Sequence, residues 1–165
     1  MKNRSLNMLI TALCLLGILS VILAVFIQHA HDEFEENITV SAEGVTEKIL
    51  PVRDLKLNPT ESKEYSVNLV CAASGLYDIY LDYEELEDGG MKPFVNVTVK
   101  ANNEIVYEGG LAALLDGNEV IQFEGNLYAT KPLVISVCYL MPYEIGNEAQ
   151  GTHANFDVHL KIQKR

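Results

Sequence analysis

The feature that most constrains the fold of this chain is a two-residue alternation of apolar and polar side chains, repeated in short segments after residue 31. In residues 33–42, EFEENITVSA, the apolar positions include Phe34, Ile38 and Val40, with polar side chains between them. Successive side chains of a β-strand point to opposite faces, so this pattern is typical of a strand with one buried face. We therefore predict a β-strand over residues 33–42.

Further segments carry the same alternation and are separated by Gly, Asn and Pro. The predicted strands cover residues 64–73, 76–84, 119–125, 132–141 and 152–162, with a hairpin in FVNVTVKANNEIVYEGG. Asparagine tolerates the positive φ that a two-residue hairpin turn requires, so Asn102 and Asn103 are the expected turn. GGLAALLDG predicts one short helical turn that ends at Gly117. No segment is long enough for a crossover helix, so we predict an all-β protein, a two-sheet β-sandwich.

The first thirty residues have a different character. Lys2 and Arg4 precede an apolar run from Met8 to Ile27, about the length of helix that crosses a ~30 Å hydrocarbon core. The basic side should stay in the cytoplasm, so residues 31–165 are predicted to form an extracellular or cell-surface domain. Residues 1–30 are then a signal peptide or signal-anchor helix, with membrane contact only through residues 6–27. Cleavage and retention both stay open, because the best candidate cleavage site, after Ala30, has Gln28 where a small residue is expected.

Acidic residues dominate the predicted exported part. All 23 acidic side chains lie after residue 31, whereas Lys2 and Arg4 lie before it. Such a domain is repelled by nucleic acid and by anionic lipid head groups. We therefore expect no nucleic-acid partner, and the simplest interpretation of the charge is a soluble extracellular surface.

Two cysteines, Cys71 and Cys138, lie in the predicted exported part, each within a strand-like segment. In an oxidising compartment they could form a disulfide. Small buried thiols fit the same segments equally well. The sequence leaves both alternatives open.

The stretch richest in groups that could be catalytic or bind a metal is MPYEIGNEAQGTHANFDVHLKI, residues 141–162. On a strand, His153 and His159 would lie about 20 Å apart and could not share a metal ion. Asp157 and His159 together supply only two ligands, too few for a specific site. The chain also has no His-Glu-x-x-His motif, Gly-x-Ser-x-Gly elbow or calcium-loop spacing. We predict no catalytic, metal or cofactor site.

The polar cluster is instead interpreted as the loop that leads into the last strand. Asn147 and Gln150 are expected to cap backbone groups that the turn leaves unpaired. Gly146 and Gly151 are expected to allow positive φ. The following strand is predicted to bury one face, formed by Ala154, Phe156, Val158, Leu160 and Ile162.

The same stretch resembles the C-terminal signature of the camelysin/TasA family of exported bacterial proteins. In that family a Tyr-x-x-Pro run leads into Gly-Asn-Glu-x-Gln-Gly and then into a final strand with Phe-Asp. The matching residues here are Tyr139, Pro142, Gly146, Asn147, Glu148, Gln150, Gly151, Phe156 and Asp157. LKLNPTESKEYSVNL also looks like the family's entry into an alternating strand.

This resemblance implies a jelly-roll sandwich and a non-enzymatic role as a subunit or surface-attached component of a biofilm matrix fibre in Gram-positive bacteria. In fibre-forming members the N-terminal strand of one subunit completes the sheet of the next, which is β-strand addition. Here the inserted face would be Phe34, Ile38 and Val40, and the partner would be another copy or a related matrix protein. Pairing of this strand within its own subunit is the alternative. The other functions considered are a membrane-anchored extracellular binding module and, less favoured, a metal-dependent peptidase.

Overall fold

The computed structural model describes residues 34–165, which form two β-sheets around one hydrophobic core. The predicted all-β class and the two-sheet arrangement are therefore confirmed. The predicted helix over residues 6–27 and the leader boundary at residue 30 lie outside the described residues. Within residues 34–165, no helix has the length and apolar character needed to cross a membrane.

The strands are numbered in chain order. They are β1 (Phe34–Val40), β2 (Val45–Leu55), β3 (Ser62–Cys71), β4 (Gly75–Gly89), β5 (Asn96–Ala101), β6 (Glu104–Gly110), β7 (Ile121–Leu127), β8 (Leu133–Leu140) and β9 (His153–Lys164). A short helix, α1 (Leu111–Leu115), follows β6, and 3₁₀ turns cover Lys92–Phe94 and Asn147–Ala149. The strand orders are β1-β3-β8-β5-β6 in the five-stranded sheet and β2-β9-β4-β7 in the four-stranded sheet.

Two turns have the positive φ values that their sequences predict. Asn102 and Asn103 have φ values of 49° and 72° and connect β5 to β6. Gly117 has a φ of 69° just after α1, where the predicted helical turn ends. Strand β4 continues beyond its predicted end because its segment from Glu84 to Gly89 pairs with β9.

Strand β2 is the strand that the alternation does not predict. Pro51 lies within it, and charged residues occupy much of its length. Proline lacks the N–H that a central strand needs, but β2 is an edge strand and pairs only with β9. The ladder also shifts register between Val52 and Leu55, where Asp54 has a φ of 51°. The proline and the bulge therefore interrupt the alternation, so the sequence pattern does not reveal this strand.

The core is built around β9, which lies between β2 and β4. Its predicted inward row, from Ala154 to Ile162, is buried. Phe156 has a relative exposure of 0% and packs against the rings of Tyr83 and Tyr139. The two tyrosine hydroxyl oxygens lie 3.4 Å apart. Burial raises the pKa of both phenols above its ordinary value, which keeps the buried pair neutral.

Candidate assembly site

The segment predicted to take part in assembly is β1, and it lies at one edge of the five-stranded sheet. It pairs only with β3, in a parallel ladder that places Phe34 beside Tyr65 and Val40 beside Cys71. Every other strand pair described is antiparallel. The outer side of β1 has no strand neighbour among residues 34–165, so its backbone groups there are open to a further strand.

The apolar face of β1 takes part in the core as predicted. Ile38 and Val40 have relative exposures of 6% and 1%. In the described chain these two predicted assembly residues are thus occupied by pairing within the same subunit, which is the alternative to strand exchange. Phe34 is placed by its register position opposite Tyr65, at the start of the ladder.

Two polar contacts of β1 involve residues that were not predicted as site residues. Glu36 forms an ion pair with Lys48 of β2, with 2.7 Å between Oε1 and Nζ. Asn68 of β3 donates a hydrogen bond from Nδ2 to Oδ1 of Asn37 at 3.2 Å. The sequence contains a signal for the first contact, because Glu36 is the charged residue at an otherwise apolar position of the alternation.

The connection from β1 to β2 is short and passes from one sheet to the other. It covers residues 41–44, and Gly44 has a φ of 83°. The backbone N–H of Ser41 donates to Oγ1 of Thr46 at 2.9 Å, and the Ser41 hydroxyl donates to the Glu43 carbonyl at 2.6 Å. Local hydrogen bonds therefore hold a segment that is otherwise exposed.

The Gly-Asn-Glu-x-Gln-Gly motif forms the loop before β9, as predicted, but its internal bonding differs. Asn147–Ala149 form a 3₁₀ turn, and its N-cap has no side-chain hydrogen bond. The loop is closed by backbone bonds from Gln150 N–H to the Asn147 carbonyl at 3.1 Å and from Thr152 N–H to the Ala149 carbonyl at 3.1 Å. The Thr152 hydroxyl also donates to the Ala149 carbonyl at 2.7 Å.

The two motif glycines have different conformations. Gly151 has the expected positive φ of 79°. Gly146 has a φ of −78°, so the expectation for this residue was wrong. The reason is that Gly146 precedes the 3₁₀ turn, whereas Gly151 follows it, at the point where the chain reverses into β9.

The motif loop lines a shallow cleft of 340 Å³ together with the segment that joins β2 to β3. The lining residues are Lys56, Leu57, Asn58, Pro59, Gly146, Asn147, Ala149, Gln150, Gly151 and Thr152. Glu148 belongs to the same 3₁₀ turn and is exposed. The motif thus packs one loop against another at one end of the sandwich.

Phe156 and Asp157, the last two motif residues, lie on opposite faces of β9. Phe156 points into the core, against Tyr83 and Tyr139. Asp157 forms an ion pair with Arg53 of β2, and the same guanidinium donates from Nη1 to the Phe156 carbonyl at 2.8 Å. This end of the motif secures the bulge of β2 to β9.

The disulfide considered for Cys71 and Cys138 is absent, and both residues are free thiols. Cys138 lies opposite Glu64 in the β3–β8 ladder, and Cys71 is seven residues further along β3. That separation is about 23 Å, far beyond the ~7 Å limit for a disulfide. Cys71 faces the core, while Cys138 lies on the other face of its sheet and is half-buried. Burial, followed by the nearby Glu64 carboxylate, raises the pKa of Cys138.

The outer face of the four-stranded sheet carries the two histidines of β9, each paired with a carboxylate of β4. His159 Nε2 lies 2.9 Å from Glu84 Oε2, and His153 Nε2 lies 3.6 Å from Glu87 Oε1. Among the side chains that the structure describes, those of residues 36–165, no group of three or more His, Cys, Asp or Glu is arranged to hold a metal ion.

A shallow depression of 540 Å³ lies on the same outer face. Its lining includes Ile49 of β2, Tyr80 of β4 and Lys161 of β9. An apolar side chain, an aromatic ring and an ammonium group therefore meet at one concave part of the surface.

Comparisons with known proteins assign no family to this chain. No protein-family model and no curated protein matches the chain. Among solved structures, PliG of Aeromonas hydrophila, a periplasmic inhibitor of g-type lysozyme, is similar with 14% identity and a TM-score of 0.35, over 78% of this chain and 99% of that chain. The EclA C-terminal domain, a sugar-binding protein, is similar with 16% identity and a TM-score of 0.34, over 67% and 84% of the two chains. These TM-scores are below 0.5, so the likenesses assign neither a fold family nor a function.

Proposed function

We propose that this protein is a non-enzymatic extracellular structural protein that assembles by addition of β1 to the sheet of another copy or of a related matrix protein. In this proposal the chain is a TasA-like, jelly-roll-like subunit or surface-attached component of a biofilm matrix fibre. It is exported across the cytoplasmic membrane by the apolar segment of residues 6–27, with its N-terminus inside. The family resemblance of the motif loop supports this role.

The observation that carries the proposal is the position of β1. The strand is held on one side only, by β3, and a four-residue connection joins it to a strand of the other sheet. Four extended residues span about 14 Å. A swing of residues 41–44 would therefore free β1 without disturbing the other strand ladders.

For the strand itself, such an exchange is close to neutral in free energy. A copy of β1 from a second chain would make the same backbone hydrogen bonds to β3 and bury the same Ile38 and Val40 side chains. Exchange of identical elements between subunits costs little, because the interactions that each subunit gives up internally form again with its neighbour. The balance then depends on protein concentration and on the conformation of the connection.

The chemistry of the remaining polar groups supports a role without catalysis. Each histidine of β9 already contacts a carboxylate of β4. The Cys138 thiol has a raised pKa, whereas a nucleophilic cysteine needs a lowered one. The metal-dependent peptidase considered from the sequence would need ligands that the described side chains of residues 36–165 do not bring together.

Electron microscopy of residues 31–165 tests the proposal. We expect fibres from this chain and none from a chain that begins at Glu43, because the shorter chain lacks β1. Ile38→Asp should also abolish fibres, since it places a carboxylate on the buried face. Thr39→Asp is the matched control, because Thr39 is exposed on the other face and the change in charge is the same.

Dispersed monomers of the longer chain, under varied pH and salt, would contradict the proposal. That result would favour the second candidate function, a membrane-anchored extracellular binding module. The depression beside Tyr80 and Lys161 is the observation that favours this alternative. It combines an aromatic ring with charged and apolar side chains in a concave surface, as ligand sites commonly do.

A further inference from the structure

We infer that the ion pair between Glu36 and Lys48 is the specificity determinant for the strand that occupies the sheet edge beside β3. This inference rests on the proposed function, because it concerns which copy's β1 is accepted at that edge. It adds a chemical rule: an acceptable strand carries a carboxylate at the position of Glu36.

The location of the pair separates it from ordinary surface ion pairs. Glu36, Ile38 and Val40 are alternate residues of β1 and therefore lie on the same, inward face. The Cα partner of Glu36 is Val67 of β3. Its side chain is 24% exposed, and that of Lys48 is 45% exposed. The carboxylate therefore lies at the rim of the core rather than in open solvent.

Lys48 approaches the same point from the opposite sheet. It belongs to β2, the edge strand of the four-stranded sheet, and its Cα partner is Leu160 of β9, whose side chain is buried. Among the ion pairs of residues 36–165, whose side chains the structure describes, Glu36–Lys48 is the one that joins β1 to the four-stranded sheet. Two edge strands thus present opposite charges to each other across one open side of the sandwich.

Inward-pointing charges on edge strands are a known means of preventing unwanted strand pairing. An incoming strand with an apolar or basic residue at this position would leave the Lys48 ammonium at the core rim without its carboxylate. A strand with an acidic residue would restore the pair. The arrangement therefore favours copies of β1 over strands without a carboxylate at this position, which is discrimination by an unfavourable alternative.

The hydrogen bond between Asn37 and Asn68 fixes the register that this selection needs. The two asparagines are Cα partners in the β1–β3 ladder, and their side chains are bonded to each other. A slip of one residue would move Glu36 to the outer face and place Asn37 on the inward face. Two neighbouring residues of β1 thus determine the selection: Asn37 sets the register, and Glu36 supplies the charge.

A charge-swap experiment tests the inference with protein that spans residues 31–165. Glu36→Lys alone and Lys48→Glu alone each place like charges at the site, both within a subunit and between identical subunits. In a mixture of the two variants, each strand finds its opposite charge only on the other variant. We expect each variant alone to assemble at least about fivefold less than the wild type, and the mixture to form fibres in which the variants alternate.

Two further chains make the result interpretable. The double variant Glu36→Lys with Lys48→Glu restores the pair within one chain and should assemble alone, which excludes misfolding as the cause of the single effects. Lys56→Glu is the matched control for charge. Its Nζ lies 2.7 Å from Asp54 Oδ2 in a pair that is well exposed on both sides, so assembly should be unchanged.

The possible results separate the two proposals. Fibres from the wild type and equal fibres from every single variant, with no preference on mixing, would overturn this inference and leave the proposed function intact. Absence of fibres from the wild type and from the mixture would overturn the proposed function, and this inference with it. Electron microscopy with differently labelled variants gives the readout.

Discussion

Strands β1 and β9 share an alternating sequence pattern but occupy opposite situations in the fold. β9 is antiparallel to β2 on one side and to β4 on the other, and its inward row is buried along its length. β1 lies at an edge, parallel to β3 alone, and carries Glu36 within its inward row. The same periodicity thus occurs in a central strand, which has a neighbour on each side, and in an edge strand, which has a neighbour on one side only. Alternation identifies the buried face, whereas the number of neighbours decides how firmly the strand is held.

The largest expected effect is that of Phe156→Ala in β9. The side chain has a relative exposure of 0%, with ring centroids 5.8 Å from Tyr83 and 5.5 Å from Tyr139. Its removal leaves a cavity between the sheets and should lower the free energy of unfolding by about 4 kcal/mol, measured by urea denaturation. Lys161→Ala on the outer face of the same strand should change it by less than about 0.5 kcal/mol. Equal effects of the two changes would contradict the central role of β9.

Ile38→Ala applies the same test to the edge strand, β1. Ile38 is almost as buried as Phe156, but its strand has a single neighbour in the described sheet, β3. We expect a loss of about 2 kcal/mol, at the lower limit for a buried aliphatic residue. Thr39→Ala, on the exposed face of β1, serves as the control in the same urea titration. A loss as large as that of Phe156→Ala would mean that β1 unfolds only with the whole domain.

Amide hydrogen exchange compares the two strands in the unmodified protein. Local opening of an edge strand needs less free energy than global unfolding. The slowest amides of β1 should therefore exchange at least about tenfold faster than those of β9, a difference of about 1.4 kcal/mol. Uniform protection across both strands would remove the basis for strand exchange.

Arg53→Met examines what holds the β2 bulge against β9. The guanidinium contacts Asp157, which is 16% exposed, and the Phe156 carbonyl. We expect a loss of about 1 kcal/mol, because a methionine keeps the aliphatic packing and loses both polar contacts. Lys56→Met removes a pair in which both side chains are well exposed, 62% for Lys56 and 63% for Asp54, and should have almost no effect. Thermal or urea unfolding of the two variants gives the comparison.

The smallest effect at neutral pH is expected for Tyr83→Phe, and it grows under alkaline conditions. Burial raises the pKa of Tyr83 and Tyr139 in the folded state, while an unfolded tyrosine ionises near pH ~10. The stability that these neutral phenols contribute is fully present below about pH 10 and is lost as the pH rises towards the folded pKa. Tyr83→Phe removes one of the two groups, so its free energy of unfolding should fall less steeply above about pH 10. An identical pH dependence of the variant and the wild type would show that Tyr83 does not ionise on unfolding.

Much of the fold could be predicted from local pattern. The inward rows of β1 and β9, the Asn102–Asn103 turn and the end of α1 at Gly117 all follow from residue type and spacing. The opposite orientation of the cysteines was not predicted, although the alternation contains a signal for it. Cys71 is in phase with the apolar row of β3, whereas Cys138 is out of phase with the row of β8.

The remaining features depend on contacts between distant segments. No local pattern indicates that β9 lies between β2 and β4, or that β1 runs parallel to β3, because both arrangements are chosen by packing across the chain. Strand β2 was missed because Pro51 and the bulge near Asp54 interrupt its alternation. The Gly146 conformation and the backbone closure of the motif loop likewise depend on the 3₁₀ turn that follows.

The central position of β9 also has a consequence for the order of folding. Strands β2 and β4 have no ladder with each other, so the four-stranded sheet cannot be completed until residues 153–164 have been synthesised. Until then the apolar rows of both sheets have no complete partner surface and are exposed to aggregation. A chain interrupted before His153 should therefore be recovered as insoluble or degraded material, whereas removal of a few residues from the start of β1 should be tolerated. Of the nine strands described in residues 34–165, the last to be synthesised is the one that closes the core.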